Sequence, residues 1–192
     1  MQKSLFYIFL FWVLSFKTVG QSTDTLPEKP TYVIGFGGGI DYGGFGMRLN
    51  YTPLKNIGVF GAIGYNIVGA GYNAGLAYKF RPAKKISPYL TLMYGYNAVI
   101  KIKGASEYDK IYYGASTGFG IEFWNRKHSN YFNVELLYPF RSNEYERDRY
   151  AIKRNPGIKV TYEPIDITIS IGYHVGLDFK NFKENIKSLP ND

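Results

Sequence analysis

From Thr31 onward, large apolar side chains recur at every second position, and the runs break where Pro, Gly, Asn and Lys cluster. A period of two is the signature of a β-strand with two unlike faces. Eight such runs can be traced, at residues 32–41, 44–52, 57–67, 70–81, 88–97, 111–124, 131–138 and 165–179. Connectors such as TPLKN, RPAKKIS and NRKHSN separate several of them, each rich in residues that favour turns. No run carries a helical stripe except the tail beyond residue 179, where Phe182, Ile186 and Leu189 share helical spacing. Short strands at close spacing predict an all-β sandwich or barrel.

The two faces differ in kind. One carries Ile34, Phe36, Met47, Leu49, Leu76, Leu92, Tyr96, Phe119, Leu136, Ile169 and Ile171, and no charged residue. The other is rich in glycine and holds Asn50, Asn73, Ser170, His174 and the charged side chains. The stretch VIGFGGGIDYGGFGMRLNY, residues 33–51, is the extreme case. Its Gly35 and Gly37 begin a Gly-x-Gly, but Ile40 stands where a dinucleotide loop needs a third glycine, and no Gly-Lys-Ser/Thr follows. Glycine weakens strands and is depleted in them, so it is a poor choice for a water-facing sheet surface. In a soluble barrel such as a lipocalin the apolar face points inward; in a membrane barrel the faces reverse. A barrel of about eight strands has an interior only just wide enough for side chains to fill. Lumen-facing glycine then makes room for Arg48, Lys79, Arg81, Tyr89, Tyr112, Glu122, Trp124, Tyr131 and Glu135. The pattern predicts an all-β fold, an eight-stranded antiparallel up-and-down transmembrane β-barrel.

The aromatic residues point the same way. With both termini at one end, Phe45, Tyr65, Tyr72, Tyr96, Tyr113 and Tyr138 fall near one rim. Tyr32, Tyr51, Phe80, Phe123, Phe132 and Phe179 fall near the other. Paired aromatic girdles mark the two interfaces of a membrane barrel. Strands of about ten residues are long enough to cross a bilayer when tilted. Three short connections fall at the termini end, and the long segments 98–110 and 139–164 fall opposite.

Composition sharpens this picture. The chain has 22 glycines in 192 residues, against an ordinary usage of about 7%. Cysteine is absent, which excludes a disulfide scaffold, cysteine-based zinc sites and a lipid-anchoring cysteine. The net charge is +8, but Lys and Arg cluster between the periodic runs instead of along a helix face, which argues against nucleic acid. At the N-terminus, Lys3 precedes the apolar stretch LFYIFLFWVLSF, and Gly20 offers a small residue before Gln21. Twelve residues bounded by Lys17 fall short of the roughly 20 that a spanning helix needs. The segment reads as a secretory signal peptide. The predicted organisation is a signal peptide at 1–20, a flexible periplasmic lead-in at 21–30, the barrel at 31–179 and a periplasmic tail at 180–192.

Over residues 31–179 the chain resembles the small eight-stranded outer-membrane β-barrel proteins of Gram-negative bacteria. The most specific local feature is the last strand, SIGYHVGLDF. There Ser170, Gly172, Val175, Leu177 and Phe179 are similar to the closing-strand signal read by the barrel-assembly machinery. The chain departs from the commonest pattern by continuing past Phe179 instead of ending on an aromatic. The resemblance implies location in the outer membrane, a surround of outer-membrane lipid, and the assembly machinery as a partner during insertion. Related barrels include adhesins and lipid-modifying enzymes, so architecture is implied more sharply than activity.

Candidate chemistry is sparse, and no cofactor or metal is indicated. A lumen polar network is expected from Arg48, Lys79, Glu122, Glu135, Asp166 and His174, with Arg81 and Asp178 facing the same interior. Buried charges persist when paired and hydrogen-bonded, so this reads as a structural network rather than an ion path. His174 has Ser170 and Asp178 four residues away on either side, about 13 Å along a strand, too far for a direct triad. His128 in RKHSNYF loosely resembles the His-x-Ser-Asn pattern of outer-membrane lipid A deacylases, but here His128 and Ser129 are adjacent and belong to the periplasmic rim. Surface contacts are expected from Tyr108, Tyr145, Arg147, Arg149 and Tyr150, in loops 99–110 and 141–163, toward an extracellular protein or polysaccharide. The leading function is therefore a structural or surface-interaction barrel with a filled interior. The alternatives are a lipid-modifying enzyme and a secreted lipocalin-like ligand-binding barrel.

Overall fold

The computed structural model describes residues 29–102, 109–154, 160–162 and 166–177, with only the backbone described at 160–162. The leader, most of the lead-in, Tyr108, Asp178, Phe179 and the tail lie outside the described residues. Nine strands are present among them: β1 (Tyr32–Gly39), β2 (Gly44–Leu54), β3 (Ile57–Tyr65), β4 (Ala70–Lys79), β5 (Ile86–Ile102), β6 (Lys110–Trp124), β7 (Asn130–Pro139), β8 (Val160–Tyr162) and β9 (Thr168–Leu177). One helix, α1 (Asn143–Lys153), lies between β7 and β8. Every pairing is antiparallel, in the order β4-β3-β2-β1-β9-β7-β6-β5, and a β4–β5 pairing closes the ring. The fold is a closed eight-stranded up-and-down barrel. β8 stands outside that ring, pairing with the end of β5 through Lys101↔Tyr162 and Ile102↔Val160.

The alternation in the sequence becomes an inside and an outside, and the apolar face is the outer one. Phe36, Met47, Leu49, Ile63, Leu76, Leu92, Phe119, Leu136, Ile169 and Ile171 are all exposed. Arg48, Asn50, Asn73, Lys79, Glu122, Asn133, Glu135, Ser170 and His174 are buried. Aromatic pairs lie toward each end of the outer surface: Tyr32 stacks on Tyr51 at 4.8 Å near the termini, and Tyr72 stacks on Tyr113 at 4.7 Å near the opposite, loop end.

The interior holds more than side chains. The chain leaves β1 at Gly39 and makes a 3-10 turn, Ile40–Tyr42, whose three residues are all buried. Segment 32–41, expected to be strand throughout, therefore ends two residues early and folds into the lumen. Gly43 reverses the chain in the left-handed region at φ 72°, which disfavours any residue with a Cβ. The Asn73 side chain donates to the Ile40 carbonyl and ties the turn to the far wall. The glycine face is what admits this turn. A Cβ at Gly172 would overlap the Tyr42 ring, and one at Gly64 would overlap the Tyr42 carbonyl oxygen.

Two other expectations change at the loop end. β5 runs on to Ile102, well past Asn97, and an irregularity between Tyr96 and Ala98 leaves Asn97 as an extra residue. Beyond that bulge the strand is covered on both sides. Tyr96, expected on the exposed rim, is only 8% exposed and packs with Val99, Val68 and Ile111. On the other side Ala98, Ile100, Ile102 and Tyr112 pack against Tyr145 and Ile152 of α1. No helix was expected over 143–153. It begins at Ser142, whose Oγ accepts the Tyr145 N–H at 3.2 Å, and has Glu144 and Glu146 in its first turn and Lys153 in its last. Its apolar stripe is thin, essentially Tyr145 and Ile152, which the charged sequence around them hides.

A pair of glycines on β3 tests this account. Gly64→Ala should lower stability by about 1–3 kcal/mol in denaturant unfolding, because its clash is with backbone that cannot rotate away. Gly61→Ala, where a Cβ would meet nothing within 4 Å, should change stability by less than about 0.5 kcal/mol.

Candidate functional site

Arg48 is the hub of the lumen. From β2 its Nη1 reaches Asp41 Oδ2 at 2.7 Å and Glu135 Oε2, on β7, at 3.5 Å. Its guanidinium lies over the Phe60 ring at 3.6 Å, and its Nε donates to Asn50 Oδ1 at 3.0 Å. Asp41 also accepts the Ser170 hydroxyl, and Glu135 accepts the Tyr89 hydroxyl at 2.9 Å. A second cluster lies nearer the termini end. There Lys79 pairs with Glu122 at 2.8 Å, and Trp124 Nε1 donates to the same carboxylate at 2.8 Å.

His174 belongs to none of these ion pairs. With its oxygen facing Arg48, Asn50 turns its amide nitrogen toward His174 Nδ1 at 3.2 Å. That donor assigns Nδ1 as the acceptor and leaves the proton on Nε2, which lies 2.7 Å from Tyr42 Oη and 3.0 Å from Asn133 Oδ1. The ring stacks on Tyr131 at 4.2 Å, nearly parallel. The imidazole is thus a neutral, fully engaged member of the packing. The neighbouring serine points elsewhere, since Ser170 Oγ is bonded to Asp41 and the Gly38 carbonyl.

Of the residues expected in the lumen network, the structure brings together Arg48, Lys79, Glu122, Glu135 and His174. Asp166 does not join them: it is exposed in a bend before β9 begins at Thr168. Arg81 is likewise exposed, because β4 ends at Lys79 and Arg81 belongs to the following turn. Asp41 and Tyr42 were missed as network members, because a strand continuing through Asp41 leaves no reason to fold the connection inward. The single carboxylate, Asp41, in a glycine-lined run whose other charge is Arg48 was the available signal. A void bordered by Arg48, Tyr89, Glu122 and Asn133 measures about 10 Å³, the scale of one water molecule.

The two members of the deacylase-like pair have different surroundings. His128 is buried in the β6–β7 turn with its ring edge-on to Trp124, while Ser129 is exposed and its hydroxyl accepts from Asn125 Nδ2 at 3.0 Å. Among the described residues, no cluster of three or more His, Asp or Glu side chains could hold a metal ion. Of the closing-strand residues, Ser170 and Gly172 face the lumen and Val175 faces outward, with Leu177 half-buried at the end of β9.

At the loop end the expected contact residues divide. Arg147 and Tyr150 are exposed, and Arg149 is half-buried, 3.6 Å from Glu146. Tyr145 is not available as a surface contact. It is 2% exposed, edge-on to Tyr112 at 5.2 Å with the Arg141 guanidinium over its ring, and it anchors α1. Asp148 accepts from Lys110 Nζ at 2.8 Å and from Tyr112 Oη at 2.7 Å, and Lys110 also pairs with Glu144 at 2.8 Å. The hydrogen bond from Lys110, with that from Tyr112, holds the Asp148 carboxyl below its usual range.

Compared with protein-family models, curated proteins and solved structures, the chain finds a match in none of the three.

Two measurements examine these clusters. Arg48→Met leaves two buried carboxylates without their cation and should cost about 3–5 kcal/mol in denaturant unfolding. The D41N/R48M/E135Q triple variant, which removes both signs of charge, should recover most of that loss. At the loop end, Tyr145→Ala should raise amide exchange throughout α1 while the barrel strands stay protected. Because the folded Asp148 carboxyl titrates below its unfolded value, its contribution to docking is present above about pH 4 and lost as pH falls through the lowered value. α1 exchange, corrected for intrinsic rates, should therefore rise on acidification in the wild type and less so in Asp148→Asn.

Proposed function

We propose that this chain is a small outer-membrane β-barrel of a Gram-negative bacterium, exported by its N-terminal signal peptide, with a structural or surface-interaction role exercised through its loop end. The observation that carries the reading is the apolar belt. Large hydrophobic side chains are exposed on every one of the eight barrel strands, among them Phe45 at 82%, Tyr65 at 66%, Tyr94 at 63% and Ile169 at 63%. Leaving one such side chain in water instead of burying it forgoes about 1.5–3 kcal/mol. A patch beyond a few hundred Å² on a soluble monomer ordinarily marks a binding surface. This one encircles the molecule, and a hydrocarbon bilayer is the solvent that suits it. Closure of the sheet supports the same reading, because a barrel leaves no unpaired strand edge to lipid.

Surrounding outer-membrane lipid, and the barrel-assembly machinery acting on β9 during insertion, are the partners this reading entails. A role for the loop end is supported by its build. The ends of β5 and β6, with β8 and α1, form a platform beyond the barrel, with Arg147, Arg149 and Tyr150 toward its surface; the proposed contact regions are 99–110 and 141–163. Mixed charge with tyrosine suits an extracellular protein or polysaccharide.

The test is a gel-mobility comparison of boiled and unboiled samples from a washed outer-membrane fraction. The expected outcome is retention in that fraction together with a heat-dependent mobility shift. Recovery of the chain as a soluble periplasmic or secreted protein would overturn the membrane reading.

A further inference from the structure

The two ends of the barrel differ in electrostatic character. At the termini end, the β2–β3, β4–β5 and β6–β7 turns carry Lys55, Arg81, Lys84, Lys85, Arg126 and Lys127, all exposed. Those turns, residues 55–56, 80–85 and 125–129, contain no acidic residue. Among the described residues, none of the six cations takes part in an ion pair. At the loop end, by contrast, Lys110 is bound to Glu144 and Asp148, and Arg149 lies beside Glu146. Among the described residues these cations meet no carboxylate, and the strand order spreads their turns around the rim.

Their placement relative to the outer surface identifies that partner. Directly inward along the strands lie exposed Tyr51, Leu54, Tyr78, Phe80, Ile86, Phe123 and Phe132. Moving toward the termini, the surface thus passes from aliphatic to aromatic to cationic. A lipid leaflet has the complementary order of acyl chain, glycerol interface and headgroup. Aromatic rings settle at the interface, and a lysine or arginine beyond it reaches headgroup phosphates. We propose that this basic rim is a docking surface for anionic phospholipid headgroups, selecting them over zwitterionic ones in the leaflet at the termini end. The proposal rests on the membrane reading above and adds to it a chemical preference for one class of lipid. The guanidinium of Arg81 or Arg126 can hold a phosphate in two hydrogen bonds, whereas the lysines act as point charges.

The experiment reconstitutes the full mature chain into bilayers of phosphatidylcholine and phosphatidylglycerol and measures, with spin-labelled lipids, the fraction of each held at the protein surface. For the wild type, phosphatidylglycerol should be held about threefold more strongly than phosphatidylcholine at low salt, with the preference fading near 1 M salt, where the Debye length falls to about 3 Å. The K55Q/R81Q/K84Q/K85Q/R126Q/K127Q variant, whose fold is checked by its heat-dependent gel shift, should hold both lipids alike. A control at the other end, R147Q/R154Q, should keep the preference. Equal retention of the two lipids by the wild type would overturn the proposal while leaving the membrane reading intact. So would a preference that survives the sixfold variant or disappears in the control. Failure to immobilise any lipid would overturn the membrane reading and this proposal together.

Discussion

The ion pair between Arg48 and Asp41 joins β2 to the turn that precedes it, and the rest of the interior is arranged around it. A guanidinium in a closed barrel needs an anion close by, because burying an unpaired charge costs far more than any contact along the wall returns. Asp41 reaches Arg48 only if the β1–β2 connection folds inward, and that turn fits only where the facing wall lacks Cβ atoms. Gly37, Gly46, Gly64 and Gly172, one on each of β1, β2, β3 and β9, are thus tied to one charge pair. Glu135 adds a second carboxylate from the far side, Tyr89 and Asn133 extend the network, and Asn50 passes its orientation on to His174. The outcome is a barrel interior tied together by directed hydrogen bonds and ion pairs.

That arrangement bears on function through what it fills. Arg48, Lys79, Glu122 and Glu135 are each spent on a partner within the lumen, and the void beside Arg48 and Glu122 is of water size. Chemistry is constrained in the same way: His174 is held neutral by its neighbours, and its nearest serine bonds to a different side chain. The interactions proposed above fall on the outer belt and the two ends. These ends are unlike, one a rim of short basic turns and the other a platform in which α1 covers the projecting β5–β6 hairpin.

The same residues show where a periodic pattern is a sound guide and where it stops. The lumen positions of Arg48, Lys79, Glu122, Glu135 and His174 follow from parity alone, because each lies within a regular strand and a regular strand alternates without exception. Asp166 and Arg81 have the right parity but lie just beyond the strand ends, where alternation no longer sets direction. Tyr96 lies next to a bulge, and one extra residue lets the hairpin bend into contacts that its rim position did not suggest. α1 escaped notice because a helix docked through two side chains leaves almost no stripe. Its start at Ser142 and its acidic first turn were the stronger clues.

Local alternation of apolar and polar residues was enough to determine eight strands, their antiparallel up-and-down order and the sorting of side chains into two faces. Each of these follows from the strand period and from short connections. How the β1–β2 turn came to occupy the lumen, and how α1 came to lie against the β5–β6 extension, were decided by tertiary structure. Those outcomes depend on contacts between residues far apart in the chain, such as Asp41 with Ser170, Tyr42 with His174 and Tyr112 with Tyr145. No periodicity along one strand encodes such contacts; they exist only once the barrel has closed.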